Sequence, residues 1–229
     1  MSNRKAEVLI KYLSNLSHLG YTKEDEKVKF IIKEIEGELN LLPSETNEVP
    51  KDKNKALLIV VKDTSGSMNK WENLVTKEYY ELALQGIKNT YKDVEELFIS
   101  HTTEAKLTSK DDLFNTQNSG GTFASSGLRE TLDLLNTDRE VIIIQFSDGD
   151  NLTSDNSRCI KLLVDEILPK VKYFKYVEAN QYNRFSTILQ GSDNYKSIEK
   201  DKFSYYVINV KDDALKGLRL IDEINLIKN

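Results

Sequence analysis

From Ala56 onward, short apolar, β-branched runs alternate with stretches of helical periodicity, the pattern of a parallel sheet covered on both faces. The runs ALLIVVK at 56–62, VEELFIS at 94–100, EVIIIQF at 140–146, KYFKYVEA at 172–179 and FSYYVINV at 203–210 read as strands. Helices are expected near 70–90, 124–136, 154–168, 183–190 and 212–227. This alternation favours right-handed crossovers and an open, twisted, Rossmann-like sheet. Ligands of such sheets sit outside the carboxyl ends of the strands.

The first part of the chain has a different rhythm. Val8, Leu9, Tyr12, Leu13, Leu16 and Leu19 recur at helical spacing over residues 4–19, and Gly20 follows where a left-handed C-terminal cap would sit. Thr22 with Asp25 three residues later resembles a capping box, and an apolar stripe from Val28 through Ile35 to Leu41 predicts a second helix ending before Pro43. Residues 1–42 thus read as a helical hairpin or arm. PSETNEVPKDKNK, at 43–55, is polar, carries two prolines and shows no periodicity, so it reads as a linker. Residues 56–229 form the α/β domain of this reading.

Composition narrows the function classes. The chain has 32 Lys plus Arg against 37 Asp plus Glu, a mildly acidic balance that argues against a dedicated nucleic-acid binder. Cys159 is the single cysteine, so no intrachain disulfide forms and a reducing compartment is the economical inference. Lys11 interrupts the first apolar run and no small-residue cleavage site follows, so no signal peptide is read. The longest apolar runs, 56–61 and 141–144, fall far short of the roughly 20 residues that cross a bilayer. A cytoplasmic location, with no membrane partner, is expected.

Three oxygen-rich segments fall at the carboxyl ends of predicted strands or in the loops beside them. DTSGSM, at 63–68, places Asp63, Ser65 and Ser67 at alternate positions, with Gly66 available for a tight turn. A carboxylate and two hydroxyls suit Mg²⁺, which keeps several waters in its shell. The same string also fits a strand-to-helix turn in which Ser67 or Asn69 caps the next helix. SGGT, at 119–122, presents Thr122 before a predicted helix; it fits a phosphate loop, or a connection capped by Thr122 or Ser125, equally well. SDGDN, at 147–151, puts Asp148 directly after the most apolar strand, although Asp148 and Asp150 are also good turn formers. Their convergence on one edge of one sheet is what favours a site.

In this order the motifs resemble the metal-ion-dependent adhesion site of von Willebrand factor A domains. DTSGSM, HTTEA at 101–105, SGGT and SDGDN are similar, more closely, to the YeaH/YhbH family of bacterial proteins, some of them described as sporulation proteins. The resemblance spans about residues 56–215 and does not account for the first 42. It implies a von Willebrand factor A fold with a mostly parallel central sheet, and a first ligand loop of Asp63, Ser65 and Ser67. Thr122 would supply the second loop and Asp148 the third, some of them acting through water. It implies Mg²⁺, with Mn²⁺ or Ca²⁺ as alternatives, and an open position that a partner protein's acidic residue fills. It also implies a role in sporulation or stress signalling beside a PrkA-type serine kinase or a SpoVR-like protein. Family members carry a longer N-terminal region.

Lys62 departs from the pattern, standing where related strands carry an apolar residue. Strand alternation points its side chain away from Asp63; an ammonium that reached the site would compete with a cation. His101 has no second histidine or cysteine near it, so it reads as a hydrogen-bonded structural residue rather than a zinc ligand. Trp71 reads as helix packing.

The leading expectation is a non-enzymatic, metal-bridged adaptor. The alternative is a Mg²⁺-dependent phosphatase using Asp63 as nucleophile, but Ser65 stands where such hydrolases carry a second aspartate. A serine hydrolase is disfavoured because neither Ser65 nor Ser67 lies in a G-x-S-x-G elbow. A third reading has the arm mediate assembly through its apolar stripe.

Overall fold

The computed structural model describes residues 51–209. The chain divides into two units, Met1–Glu48 and Val49–Asn229. The arm at 1–42 and the helix expected at 212–227 lie outside the described residues, as does most of the linker.

Six strands form one sheet: β1 (Asp52–Asp63), β2 (Asp93–His101), β3 (Ala105–Thr108), β4 (Arg139–Ser147), β5 (Tyr173–Ala179) and β6 (Phe203–Ile208). Their order is β3-β2-β1-β4-β5-β6, parallel throughout except for the antiparallel edge strand β3. The expected mostly parallel sheet is present. β1 begins at Asp52 and so takes in the last four residues of the stretch read as linker, because Asp52 pairs with Arg139 across an irregularity before the regular register with β4 starts at Ala56.

Helices cover both faces. α1 (Lys70–Thr90) and α2 (Lys110–Asn115) lie on one face; α3 (Ala124–Leu132) and α4 (Asn156–Lys161), which continues as a π-helical turn over Leu162–Ile167, lie on the other. Strand alternation sorts the core between them. Ala56, Leu58 and Val60 of β1, with Ile142, Ile144 and Phe146 of β4, pack against Tyr79, Tyr80, Ala83 and Ile87 of α1. Leu57, Ile59, Val61, Val141 and Ile143 face Leu128, Leu163 and Ile167. A two-sided run of apolar residues is what a central parallel strand requires, and β1 is fully buried from Ala56 to Asp63.

Two elements were not anticipated. β3 is four residues long and half exposed, and α2 has a single turn and a half, so neither carries a full hydrophobic period. The helix expected at 183–190 is shortened to α5 (Thr187–Gln190). The Asn180 side chain accepts from the backbone N–H of Arg184 (2.8 Å) and donates to its carbonyl (2.8 Å), giving residues 180–184 turn chemistry instead. Among the described residues, no helix is long and apolar enough to cross a membrane.

α3 reaches the sheet closely because of Gly127. A Cβ there would stand 2.7 Å from Val61 Cγ1 and 2.9 Å from His101 Cδ2. Gly127→Ala is therefore expected to lower the unfolding free energy by about 1–3 kcal/mol, measured by urea denaturation; an unchanged midpoint would contradict this packing.

Candidate metal centre

The strand order reverses between β1 and β4, the point where open α/β sheets place their ligands. Register aligns the carboxyl ends. Asp63 stands beside His101, Lys62 beside Phe146, and Ser147 beside Glu178. Asp63 closes β1 and Ser147 closes β4, with Asp148 following it.

Each predicted residue has a local alternative use, and the structure shows which are taken. Asn69 caps α1, its side chain accepting from the Trp71 N–H at 2.8 Å. Ser67 is left to meet Ser65, hydroxyl to hydroxyl, at 3.0 Å. The N-terminus of α3 is satisfied from a distance, neither by Thr122 nor by a hydroxyl cap from Ser125. Asn151 accepts from the Ala124 N–H (3.0 Å), and Asp155 accepts from the Ser125 N–H (2.9 Å) and hydroxyl (2.5 Å). Thr122 is thereby spared for Asp63, whose Oδ2 its hydroxyl approaches at 3.5 Å.

The three loops are laced together. Asn118 donates through its backbone and side chain to Thr64 (2.8 and 3.0 Å). Gln117 donates to the carbonyls of Gly66 and Met68, and the Leu152 N–H donates to the Thr122 carbonyl (3.2 Å). Asp63 Oδ1 accepts from the Ser65 N–H (2.8 Å), which fixes the first turn. Gly66 lies in the turn expected of it, closed by the Met68 N–H on the Ser65 carbonyl, without a left-handed φ: a Cβ would meet only the Asn118 carbonyl, at 3.8 Å. Gly149 is a strained position. Its φ is 89°, and a Cβ would lie 2.6 Å from the Glu178 carboxyl carbon.

The structure adds groups that the motif reading passed over. The Ser147 hydroxyl also approaches Asp63 Oδ2, at 3.5 Å. Arg184 reaches in from the β5–α5 loop, with its guanidinium 3.8 Å from Asp148 Oδ2 and 3.6 Å from Glu72 Oε1 of α1. Neither carried a sequence signal, because Glu72 looks like a routine first-turn acid and Arg184 lies in a stretch read as helix.

Electrostatics explain the arrangement. Asp63 is fully buried and Asp148 nearly so. Burial raises the Asp148 pKa; the Asp150 N–H partly offsets this, and the Asp63 charge raises it further. Lys62 is fully buried, and its ammonium donates to the Asp63 carbonyl at 3.0 Å. Its attraction to Asp63 and Asp148 offsets only part of the burial cost, so its pKa falls to about 8. The ammonium thus lies near the site, where the charges of both carboxylates favour its protonated form.

His101 is buried, as a structural residue would be; neither ring nitrogen makes a well-aligned hydrogen bond, and the Thr102 backbone gives it polar support. Burial lowers its pKa. Trp71 packs at the edge of the α1 core, as expected, and Cys159 is buried with its thiol on Asp155.

Among the described residues, no group of three or more His, Cys, Asp and Glu is placed to hold a metal ion. A cation at this edge would therefore depend on hydroxyls and water beside Asp63 and Asp148, with Ser65, Ser67 and Thr122 as the oxygen donors. That donor chemistry fits a hard ion such as Mg²⁺ and does not fit zinc.

This sheet, with its antiparallel edge and its oxygen-rich loops at the switch point, defines a von Willebrand factor A-like domain. A von Willebrand factor type A protein from Catenulispora acidiphila has a similar fold, with a TM-score of 0.51 at 14% identity, covering 76% of this chain and 42% of that one. The chain belongs to the family described as proteins of unknown function (DUF444), which it matches over residues 31–222. A UPF0229 protein of Bacillus velezensis is 40% identical over 178 residues, as is one of Bacillus cereus. Each match covers 76% of this chain but 44% of the relative, so the chain spans less than half the length of these relatives.

Lys62 yields a pH prediction. Its folded pKa of about 8 lies below the ordinary 10.5, so the folded state loses its proton first as pH rises. The burial cost is fully present below pH 8 and is relieved between 8 and 10.5, so stability rises with pH in that window. Relative to Lys62→Met, the wild type is expected to gain roughly 2 kcal/mol between pH 8 and about 10, measured by denaturant unfolding. Parallel pH profiles would contradict the placement of this charge.

Proposed function

We propose that the chain is a non-enzymatic, metal-dependent protein-binding module, an adaptor whose adhesion-type site holds Mg²⁺ through Asp63, Ser65, Ser67, Thr122 and Asp148. Mn²⁺ and Ca²⁺ are the alternative ions. The observation that carries this reading is the release of the hydroxyls from helix capping, while Asp63 and Asp148 each give one oxygen to a local turn and keep the other. Asn69, Asn151 and Asp155 do the helix capping, and the hydroxyls of Ser65, Ser67 and Thr122 are left beside two buried carboxylates.

When bound, the ion would supply a Lewis-acidic position that an acidic side chain of a partner protein completes. The residues of this chain hold the loops in register, and the low-dielectric floor strengthens attraction to a cation. A hydrolase reading finds less support. Asp63 Oδ1 is engaged by the Ser65 N–H, and neither ring nitrogen of His101 makes a well-aligned hydrogen bond, so no serine–histidine pair involving His101 forms. The motif resemblance to the YeaH/YhbH proteins extends the proposal to sporulation or stress signalling, with a PrkA-type serine kinase or a SpoVR-like protein as partner. A cytoplasmic location goes with that reading.

Titration calorimetry of Mg²⁺ and Mn²⁺ tests the metal reading. The wild type is expected to bind, and the double variant Asp63→Ala, Asp148→Ala to lose affinity by about a hundredfold or more, since removing both anionic ligands removes most of the charge the ion neutralises. A wild type that binds neither ion, or a double variant that binds as tightly, would overturn it.

A further inference from the structure

Glu72 occupies the third position of α1, where a glutamate usually reaches back to the N–H of the capping residue. It does not do so here. The side chain is fully buried, and neither carboxylate oxygen accepts a hydrogen bond. A buried carboxylate without such partners needs a nearby positive charge to stay ionised. The charge that reaches it is the Arg184 guanidinium, at 3.6 Å from Oε1, and the same terminal nitrogen lies 3.8 Å from Asp148 Oδ2. Glu72 and the third ligand loop therefore share one cation.

Neither contact is close enough for a good charge-assisted hydrogen bond, which would run at about 2.7–2.9 Å. The Arg184 side chain is also 49% exposed. Its backbone, by contrast, is firmly held. Asn180 clamps the Arg184 N–H and carbonyl, and the Asn180 amide donates to Glu178 Oε1 at 3.1 Å. Glu178 in turn accepts from Ser186 at 2.6 Å and from Tyr176 at 3.1 Å, and packs under Gly149 of the third loop. A rigid strut thus delivers a loosely seated guanidinium to the mouth of the site.

We infer that Glu72 is a further acidic member of the metal centre, acting on the ion through its water shell, and that Arg184 is a displaceable internal counter-ion. Without metal, Arg184 neutralises Glu72 and Asp148; a divalent ion at Asp148 takes over that role and releases it. Glu72 would then be free to accept from water on the ion, since Mg²⁺ retains several waters. Metal occupancy and the freedom of Arg184 are thereby coupled, which puts a released guanidinium beside the ion where the partner's acidic group would arrive. This rests on the metal reading above.

Calorimetric titration of Mn²⁺ into the wild type, Arg184→Met and Glu72→Gln tests it. Removing the competing cation is expected to tighten Mn²⁺ binding on the order of tenfold in Arg184→Met, and removing the outer carboxylate to weaken it by a similar factor in Glu72→Gln. Melting temperatures give a second readout. Arg184→Met is expected to melt lower than wild type without metal and to gain more on adding Mn²⁺. A purely structural Arg184 would lower both melting temperatures equally and leave affinity unchanged, and that result overturns the inference while sparing the site. A wild type that binds no Mn²⁺ overturns both.

Discussion

Two buried aspartates at one turning point of the sheet are the constraint around which the rest of this domain is arranged. Asp63 and Asp148 lie where water is scarce, and the charge of Asp63 makes ionisation of Asp148 harder. Such an edge needs positive charge from somewhere. Lys62 supplies one charge, and Arg184 supplies another. Both are imperfect: the first bonds a backbone carbonyl, and the second stands beyond good hydrogen-bond distance. The hydroxyls of Ser65, Ser67, Thr122 and Ser147 add dipoles but no charge. On the reading proposed here, a small divalent ion would complete the neutralisation.

Holding the aspartates together falls to residues with no ligand role. Three loops separated by dozens of residues must keep their oxygen atoms aligned, and backbone flexibility would blur them. Gln117 and Asn118 tie the second loop to the first, and the Leu152 N–H ties the third to the second. Asn151 and Asp155 both cap α3 and fix the third loop, so one pair of side chains satisfies a helix N-terminus and aligns the site. Placing anions there also suits the helix dipole.

Much of this was legible in the sequence. The five long strands announce themselves because central parallel strands must be apolar on both faces, and β1 and β4 meet that demand almost without interruption. The placement of the oxygen-rich loops follows, since they continue directly from the ends of β1 and β4. The rest depended on pairing information that no local window holds. β3 and α2 are too short to show a period, and the helix expected at 183–190 loses its first turn to the Asn180–Arg184 clamp. The long-range caps from Asn151 and Asp155 were invisible, although they decide that Thr122 is available. Lys62 stands out in the sequence as a charge in an apolar strand, but its curl back to the Asp63 carbonyl is a tertiary outcome. Glu72 and Arg184 are far apart in the chain, and only the fold brings them to one carboxylate edge.

The central claim is that a divalent ion belongs among these loops, and the most direct measurement is anomalous diffraction from crystals of the protein grown with Mn²⁺. The account predicts one strong anomalous peak at the carboxyl edge between β1 and β4, within ligand distance of Ser65 and Ser67 and bordered by Asp63, Thr122 and Asp148. Well-ordered loops with no peak there, or a peak only elsewhere on the molecule, would contradict it.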